Sequence, residues 1–126
     1  MKRLLLLIAA LMTFLVSILH LSFWKIGNWQ IELKRLSADN QGIVQVLNIG
    51  SIFFLLFSAF ITYTIAQKKT FEKTDKLFLM LVAGYYITRI AAGFPFFGFS
   101  IGEVIVQAFC LIAACCYLIP VKLKNT

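Results

Sequence analysis

The sequence predicts an all-α fold: a bundle of four transmembrane helices with a short amphipathic interfacial helix between the first and the second. The chain is 61% hydrophobic and only 13% charged, whereas a soluble domain carries about 25% charged residues. Its apolar residues fall into four runs long enough to cross a bilayer, separated by polar segments. Because backbone polar groups in lipid need internal partners, we expect these runs to be helices. The length suffices for a single integral membrane domain, residues 1–126.

The first apolar run follows Lys2 and Arg3 and covers residues 4–23. About twenty helical residues rise about 30 Å, which is the thickness of the hydrocarbon core. A basic start before an apolar run is also typical of a cleaved signal peptide. The end of this run, from Leu19 to Trp24, contains no small-residue cleavage site, so we expect the segment to be retained as a membrane span.

A polar segment follows the first span. Within it, Trp29, Leu33 and Leu36 recur at helical spacing. This spacing predicts a short amphipathic helix over residues 28–40 that lies at the membrane interface. We expect Trp24 and Trp29 to lie at headgroup depth, where tryptophan is enriched.

Charge, glycine and proline mark the limits of the other apolar runs. A lysine-rich loop at 67–76 separates the second run from the third. Pro95, in a segment rich in glycine and phenylalanine, is expected to end the third span, and Pro120 the fourth, because proline breaks helices. The aromatic residues after the third span are expected to form an interfacial or re-entrant loop. The predicted spans are therefore about 4–23, 43–66, 77–93 and 101–119.

Basic residues are distributed unequally between the two ends of the predicted bundle. They comprise Lys2, Arg3, Lys68, Lys69, Lys73, Lys76, Lys122 and Lys124 at the end with both termini, and Lys25, Lys34 and Arg35 at the other. The positive-inside rule then predicts a multi-pass protein with cytoplasmic N and C termini. Because the net charge of +7 lies between apolar runs, we interpret it as a topology signal and as contacts to anionic lipid headgroups. It does not indicate a nucleic-acid surface.

Polar side chains inside the spans are costly and are therefore the candidates for function. They lie toward the end of the bundle opposite the termini, which predicts one polar layer built by all four helices. The candidates are His20, Gln45, Asn48, Tyr85, Arg89, Glu103 and Gln107. An unpaired charge in hydrocarbon costs about 3 kcal/mol, so we expect Arg89 to face inward and to pair with Glu103, directly or through water. Such a pair can be a structural lock or part of a ligand, substrate or proton site, and the sequence leaves both interpretations open.

No motif in the sequence indicates a catalytic or metal centre. The chain has one histidine and contains neither a phosphate-binding glycine loop nor H-E-x-x-H. Its three cysteines, in the pattern C-x4-C-C, match no zinc or redox motif and are expected to pack as small apolar residues. We therefore expect no metal and no cofactor, and the sequence favours a binding protein over an enzyme.

The order of motifs and spans in this chain resembles that in a known group of proteins. In this chain the order is Trp29-x-x-Glu32-Leu33-x-x-Leu36-x-x-x-Asn40, a span, a polar loop, a third span with Arg89 and terminal aromatic residues, and a fourth span. This layout is similar to that of small uncharacterised bacterial four-helix membrane proteins, loosely DoxX-like, and the resemblance covers about residues 24–120. Members of that group carry more aromatic residues where this chain has Val44-Gln45-Val46-Leu47. The resemblance implies the four-span layout and a place in the bacterial inner (cytoplasmic) membrane, and it implies no activity.

Three functions are compatible with these features. The favoured one is a protein that binds a hydrophobic small molecule, a lipid or a membrane-protein partner through its outer polar layer. The second is an integral-membrane enzyme acting on a lipid or quinone, with Glu103 or His20 as acid or base and Arg89 as an anion clamp. The third is a small transporter or channel subunit, although few polar residues are expected in the cytoplasmic half. Close packing of a second copy in a homo-oligomer would be permitted by the small residues Gly84, Thr88, Ala91 and Ala92.

Overall fold

Residues 1–123, which the computed structural model describes, contain five α-helices and no β-strand. The helices are α1 (Lys2–Ile26), α2 (Trp29–Glu32), α3 (Ala38–Ala66), α4 (Lys73–Phe97) and α5 (Ile101–Lys122), with a 3-10 turn at Leu33–Arg35 after α2. Within this part of the chain, α1, α3, α4 and α5 are each long enough and apolar enough to cross a membrane. The predicted all-α, four-helix architecture is therefore confirmed, and the chain is a multi-pass membrane protein.

The four long helices form two hairpins. In the first, α1 packs along α3, and in the second, α4 packs along α5. The hairpins meet mainly through α1 and α5, while α3 and α4 contact each other much less. We name the end that holds residue 1, the loop 67–72 and the end of α5 the terminal end. The opposite end, with the connections at 27–37 and 98–100, is the hairpin end.

Small and aromatic side chains fill the centre of the bundle. Ala9, Ala83 and Ala113 are fully buried where helices meet, and Tyr86 and Tyr117 lie beside them. Because lipid is as apolar as leucine, helices in a membrane associate by close packing, which small residues permit. Most of the large apolar side chains instead face outward, as the sequence predicts for a lipid-facing surface.

The segment between α1 and α3 differs from its prediction, because the amphipathic helix predicted over 28–40 is wrong in extent. The helical turns of α2 and Leu33–Arg35 end at Leu36, whose backbone is extended with ψ 158°. The Ser37 hydroxyl then accepts a hydrogen bond from the Asn40 N–H at 3.3 Å and caps α3. Residues 38–40 therefore belong to α3, which begins earlier than the predicted span at 43.

The two tryptophans at the hairpin end contact each other. The Trp24 and Trp29 ring centroids lie 5.4 Å apart, edge to face. A Cβ at Gly27 would lie 2.8 Å from Trp29 Nε1 and from the Phe23 carbonyl oxygen. Glycine is therefore required at this position for Trp29 to fold back over the end of α1.

Proline does not end the third and fourth spans where the sequence predicts. The helix α4 continues through Pro95 to Phe97 and ends at Gly98, whose φ of 70° lies in the left-handed region. Likewise, α5 continues through Pro120 to Lys122. Each proline lies in the last turn of its helix, so its missing N–H removes only one hydrogen bond close to the end.

An ion pair holds the loop between the hairpins. Lys68 Nζ lies 2.8 Å from Asp75 Oδ1 and 3.0 Å from Oδ2, and Asp75 Oδ2 accepts the Glu72 N–H at 2.9 Å. The hydrogen bond to Asp75 raises the pKa of Lys68 above its ordinary value. The loop is shorter than the predicted 67–76 because α4 begins at Lys73. Lys124, one of the predicted topology signals, lies outside the described residues.

Candidate functional site

The predicted polar layer consists of two separate clusters, one in each hairpin. In the first hairpin His20 contacts Asn48, and in the second Arg89 contacts Glu103. The sequence places these residues at similar depth because they lie near the same end of their helices. The structure adds that the hydrogen bonds of each cluster join residues of a single hairpin.

Asn48 fixes both the position of the His20 ring and the tautomer of its neutral form. Its Nδ2 donates to the His20 carbonyl oxygen at 3.1 Å, which orients the amide. Asn48 Oδ1 therefore faces His20 Nδ1, at 2.8 Å. Because an amide oxygen can only accept, Nδ1 carries the hydrogen. In the neutral ring, Nε2 is then left as a hydrogen-bond acceptor.

Arg89 and Glu103 form the predicted pair, and they do so with two parallel hydrogen bonds. Arg89 Nη1 donates to Glu103 Oε1 at 2.8 Å and Nη2 donates to Oε2 at 3.0 Å. Gln107 Nε2 donates to Glu103 Oε1 at 2.6 Å, and the Glu103 side chain is only 6% exposed. The Arg89 guanidinium, at 29% side-chain exposure, also lies 4.7 Å from the centroid of the Phe97 ring. This arrangement neutralises the Glu103 carboxylate and leaves the Arg89 side chain partly exposed.

Gly93 makes room for this cluster on α4. A Cβ at this position would overlap Gln107 Nε2 and Glu103 Oε1, and would lie 2.7 Å from Arg89 Nη1. A larger residue here would have to displace the ends of all three side chains, which hydrogen bonds within the cluster link to one another. Gln107 Oε1 is buried without a hydrogen-bond partner among residues 1–123, so the cluster keeps one unused acceptor.

Two predicted members of the layer lie outside these clusters. Gln45 Nε2 donates to the Gln41 carbonyl oxygen in its own helix, at 3.2 Å. Tyr85 packs against the rings of Phe54 and Tyr86, with centroids at 5.2 and 5.6 Å. The structure therefore brings Gln45 to neither cluster, and it places Tyr85 between the two hairpins.

A buried group of four hydroxyls joins the hairpins deeper in the bundle. Thr13 Oγ1 lies 2.8 Å from Tyr117 OH, Tyr86 OH donates to Thr13 Oγ1 at 2.9 Å, and Thr62 Oγ1 donates to Tyr117 OH at 3.3 Å. All four side chains are at most 1% exposed. These hydroxyl contacts lie deeper than the predicted layer of ionisable and amide side chains and add to it. The threonines follow polar stripes on α1 and α3, but nothing in the sequence marks these two tyrosines as inward-facing.

A cavity of about 530 Å³ lies between α1, α4 and α5, at the level of the two clusters. Its polar lining consists of His20, Tyr85, Tyr86 and Arg89. Its apolar lining includes Leu15, Val16, Leu19, Ile105, Val106 and Phe109. Leu15, Leu19 and Ile105 are 49%, 42% and 64% exposed, so the cavity is open toward the surrounding lipid. Ligand sites in proteins have this size and this mainly apolar lining with a few convergent polar groups.

A second depression, of about 610 Å³, differs in construction. It lies on the outer surface of α3 alone, around Asp39, Gly42 and Val46. It has walls from one helix only and contacts neither polar cluster. The cavity between α1, α4 and α5 is therefore the better candidate site.

Comparisons of this chain with protein-family models, with curated proteins and with solved structures gave no match. The resemblance to DoxX-like proteins therefore stays a prediction. Among the described residues, no group of three or more histidine, cysteine, aspartate or glutamate side chains lies close enough to hold a metal ion.

Proposed function

We propose that this protein binds an uncharged amphiphile within the membrane. The ligand's hydrocarbon part occupies the cavity between α1, α4 and α5, and its head lies at His20 and Arg89. The observation that carries this proposal is the cavity itself, in which an apolar, lipid-facing wall meets four polar side chains.

The chemistry of the polar side chains specifies the head group. In the neutral ring, His20 Nε2 can accept a hydrogen bond from a ligand, because the contact with Asn48 holds the ring hydrogen on Nδ1. Arg89 has five N–H donors, of which Glu103 takes two. Because Glu103 already neutralises Arg89, a ligand with no net charge fits best. A hydroxyl that donates to His20 and a carbonyl or ether oxygen that accepts from Arg89 meet both requirements.

The open side of the cavity favours access from the bilayer. The exposed rim residues Leu15, Leu19 and Ile105 would lie among acyl chains. A hydrophobic molecule dissolved in the membrane can therefore reach His20 without crossing water.

Native mass spectrometry of gently extracted protein tests this function. In Val16→Phe the added ring fills the cavity, and in Val46→Phe the same ring is added to the exposed face of α3, where Val46 is 68% exposed. We expect a co-purifying small molecule on the wild type and on Val46→Phe, and its loss from Val16→Phe. Equal occupancy of all three proteins, or no adduct on any, contradicts the proposal.

We further propose that the protein lies in a bacterial inner membrane with its terminal end in the cytoplasm. The support is the excess of lysine and arginine at that end. A green fluorescent protein fused to the C terminus is then expected to fluoresce, and an alkaline phosphatase fused there to be inactive. The cavity would consequently open to the outer leaflet.

An enzyme acting on a lipid or quinone is the second candidate, and the His20 geometry favours it. An imidazole with an unprotonated Nε2 in a ligand cavity can accept a proton from a substrate hydroxyl. Glu103 is less suited to this role because it already accepts three hydrogen bonds. Turnover of a bound lipid or quinol that stops in His20→Ala and persists in Gln45→Ala would establish catalysis. Turnover that survives in His20→Ala would exclude His20 as the base.

A transporter or channel is less well supported. Three apolar side chains lie between the four buried hydroxyls and the terminal end. Leu6, Ile65 and Leu79 are each at most 2% exposed. These apolar side chains close the bundle at the end where a polar path would have to continue.

A further inference from the structure

We infer that the terminal end carries a second site, which binds the phosphate of an anionic phospholipid and the glycerol backbone next to it. This inference is independent of the amphiphile cavity. It starts from a depression of about 420 Å³ where the start of α1, the loop 67–72 and the end of α5 come together.

The depression has a charged rim and an apolar floor. The rim consists of Lys2, Arg3, Lys68 and Lys69, and the floor includes Ala66, Phe71 and Leu123. None of the residues that line it within the described chain is acidic. A headgroup phosphate with attached hydrocarbon is complementary to both parts, because the phosphate suits the cations and the first methylenes suit the floor.

Contacts within the protein hold several rim side chains in place. Arg3 Nη2 donates to Gln67 Oε1 at 2.9 Å, which leaves other guanidinium donors for a phosphate. Lys2 Nζ lies 5.7 Å from the centroid of the Phe71 ring. Lys68 is neutralised by Asp75. Arg3, whose printed contact is with an uncharged amide, and Lys69 therefore supply the positive charge on which the site depends.

Helix length places this rim at headgroup depth. With 25 residues, α1 rises about 38 Å, whereas the hydrocarbon core is about 30 Å thick. Lys2 and Arg3, at the first turn of α1, therefore lie beyond the hydrocarbon, where lipid phosphates are found. Ala66 and Phe71 are buried and give the cations an apolar floor, which favours a phospholipid over a free phosphate ion.

Lipid binding to the purified full-length protein tests the site. Phosphatidylglycerol and phosphatidylcholine with identical acyl chains would be titrated and their bound fractions measured by native mass spectrometry. The test variant is Arg3→Gln with Lys69→Gln, which removes two rim charges. The control variant is Lys25→Gln with Lys34→Gln, which removes two exposed charges at the hairpin end. Both variants have the same net charge.

We expect the rim variant to bind phosphatidylglycerol at least about five-fold more weakly than the wild type, since each basic residue near a membrane surface contributes about that factor. The control variant should bind like the wild type, and phosphatidylcholine binding should be unchanged in all three proteins. An equal loss in both variants would show that the attraction depends only on total charge, which overturns the site. No loss in the rim variant also overturns it.

A competition arm separates the phospholipid from free phosphate. Millimolar inorganic phosphate is compared with sodium chloride at the same ionic strength, because salt alone screens surface charges. We expect the two salts to reduce phosphatidylglycerol binding equally. Specific displacement by inorganic phosphate would show a phosphate-ion site instead, and would overturn the assignment to a phospholipid.

Discussion

Asn48 binds His20 at two points, donating to its backbone carbonyl and accepting from its ring nitrogen Nδ1. One side chain on α3 therefore sets the tautomer of a side chain on α1. The consequence is an acceptor nitrogen, Nε2, in a residue that lines the candidate cavity.

The tautomer can be observed directly, because His20 is the single histidine of the chain. In protein labelled with ¹⁵N-histidine and freed of any affinity tag, we expect the nitrogen shifts to show a protonated Nδ1 at a pH where the ring is neutral. Asn48→Ala removes the fixing contacts, and we expect the ring to change to a mixture or to protonated Nε2. Gln45→Ala, whose side chain bonds only its own helix, serves as control and should leave the spectrum unchanged. Protonated Nε2 in the wild type would contradict the assignment.

Gly93→Ala should destabilise the protein by about 1–3 kcal/mol, the usual cost of overpacking. The new methyl would overlap the amide and carboxylate of Gln107 and Glu103. Gly84→Ala, in the same helix, is the matched control, because a Cβ there meets nothing within 4 Å. Thermal unfolding in one detergent compares the two, with a lower midpoint expected for Gly93→Ala alone. Equal midpoints would mean that the cluster can move away from α4 at no cost.

Removing one partner of the buried pair should cost more than removing both. Arg89→Gln leaves the Glu103 carboxylate buried and without its counter-charge, and breaking such a pair costs about 3–5 kcal/mol. In the double variant Arg89→Gln, Glu103→Gln no charge remains, so part of that loss should return. Equilibrium unfolding of the wild type, both single variants and the double variant gives the coupling free energy. Additive effects of the two substitutions would show that the pair is not energetically coupled.

The buried hydroxyls should couple the two hairpins weakly. Tyr117→Phe and Thr13→Val each remove one side of the 2.8 Å contact. Hydrogen bonds between membrane helices contribute about 0.6 kcal/mol on average, and we expect a coupling of that size in a double-mutant cycle. Pairing Tyr117→Phe with Ser22→Ala, an exposed hydroxyl bonded within its own helix, should give additive effects.

The sequence predicts the fold class because the bilayer leaves few alternatives. An apolar run of sufficient length in lipid has to be helical, and polar segments have to lie outside. The sequence predicts helix limits less well: it places the ends of two spans at Pro95 and Pro120, whereas both helices continue past these prolines. Proline breaks a helix by removing an N–H, and close to the last turn that loss is small enough to be tolerated.

The candidate site was predicted in part. The pairing of Arg89 with Glu103 follows from the cost of isolated charges in lipid, and the bidentate contact is present. The partner of His20 and the position of Tyr117 depend on how helices rotate about their axes and which pairs pack together. Hydropathy does not encode that rotation, since tyrosine is accepted both in the core and at the membrane interface.

The separation of the two polar clusters has a consequence for biosynthesis. The ionisable side chains inside the membrane have their partners in the same hairpin: His20 with Asn48, and Arg89 with Glu103. Each hairpin can therefore leave the insertion machinery as a unit whose ionisable side chains are already paired, before the other has been synthesised. The hydroxyls of Thr13 and Tyr117 come together only when the finished hairpins associate in the lipid. Insertion and assembly thus depend on different residues and can be damaged independently.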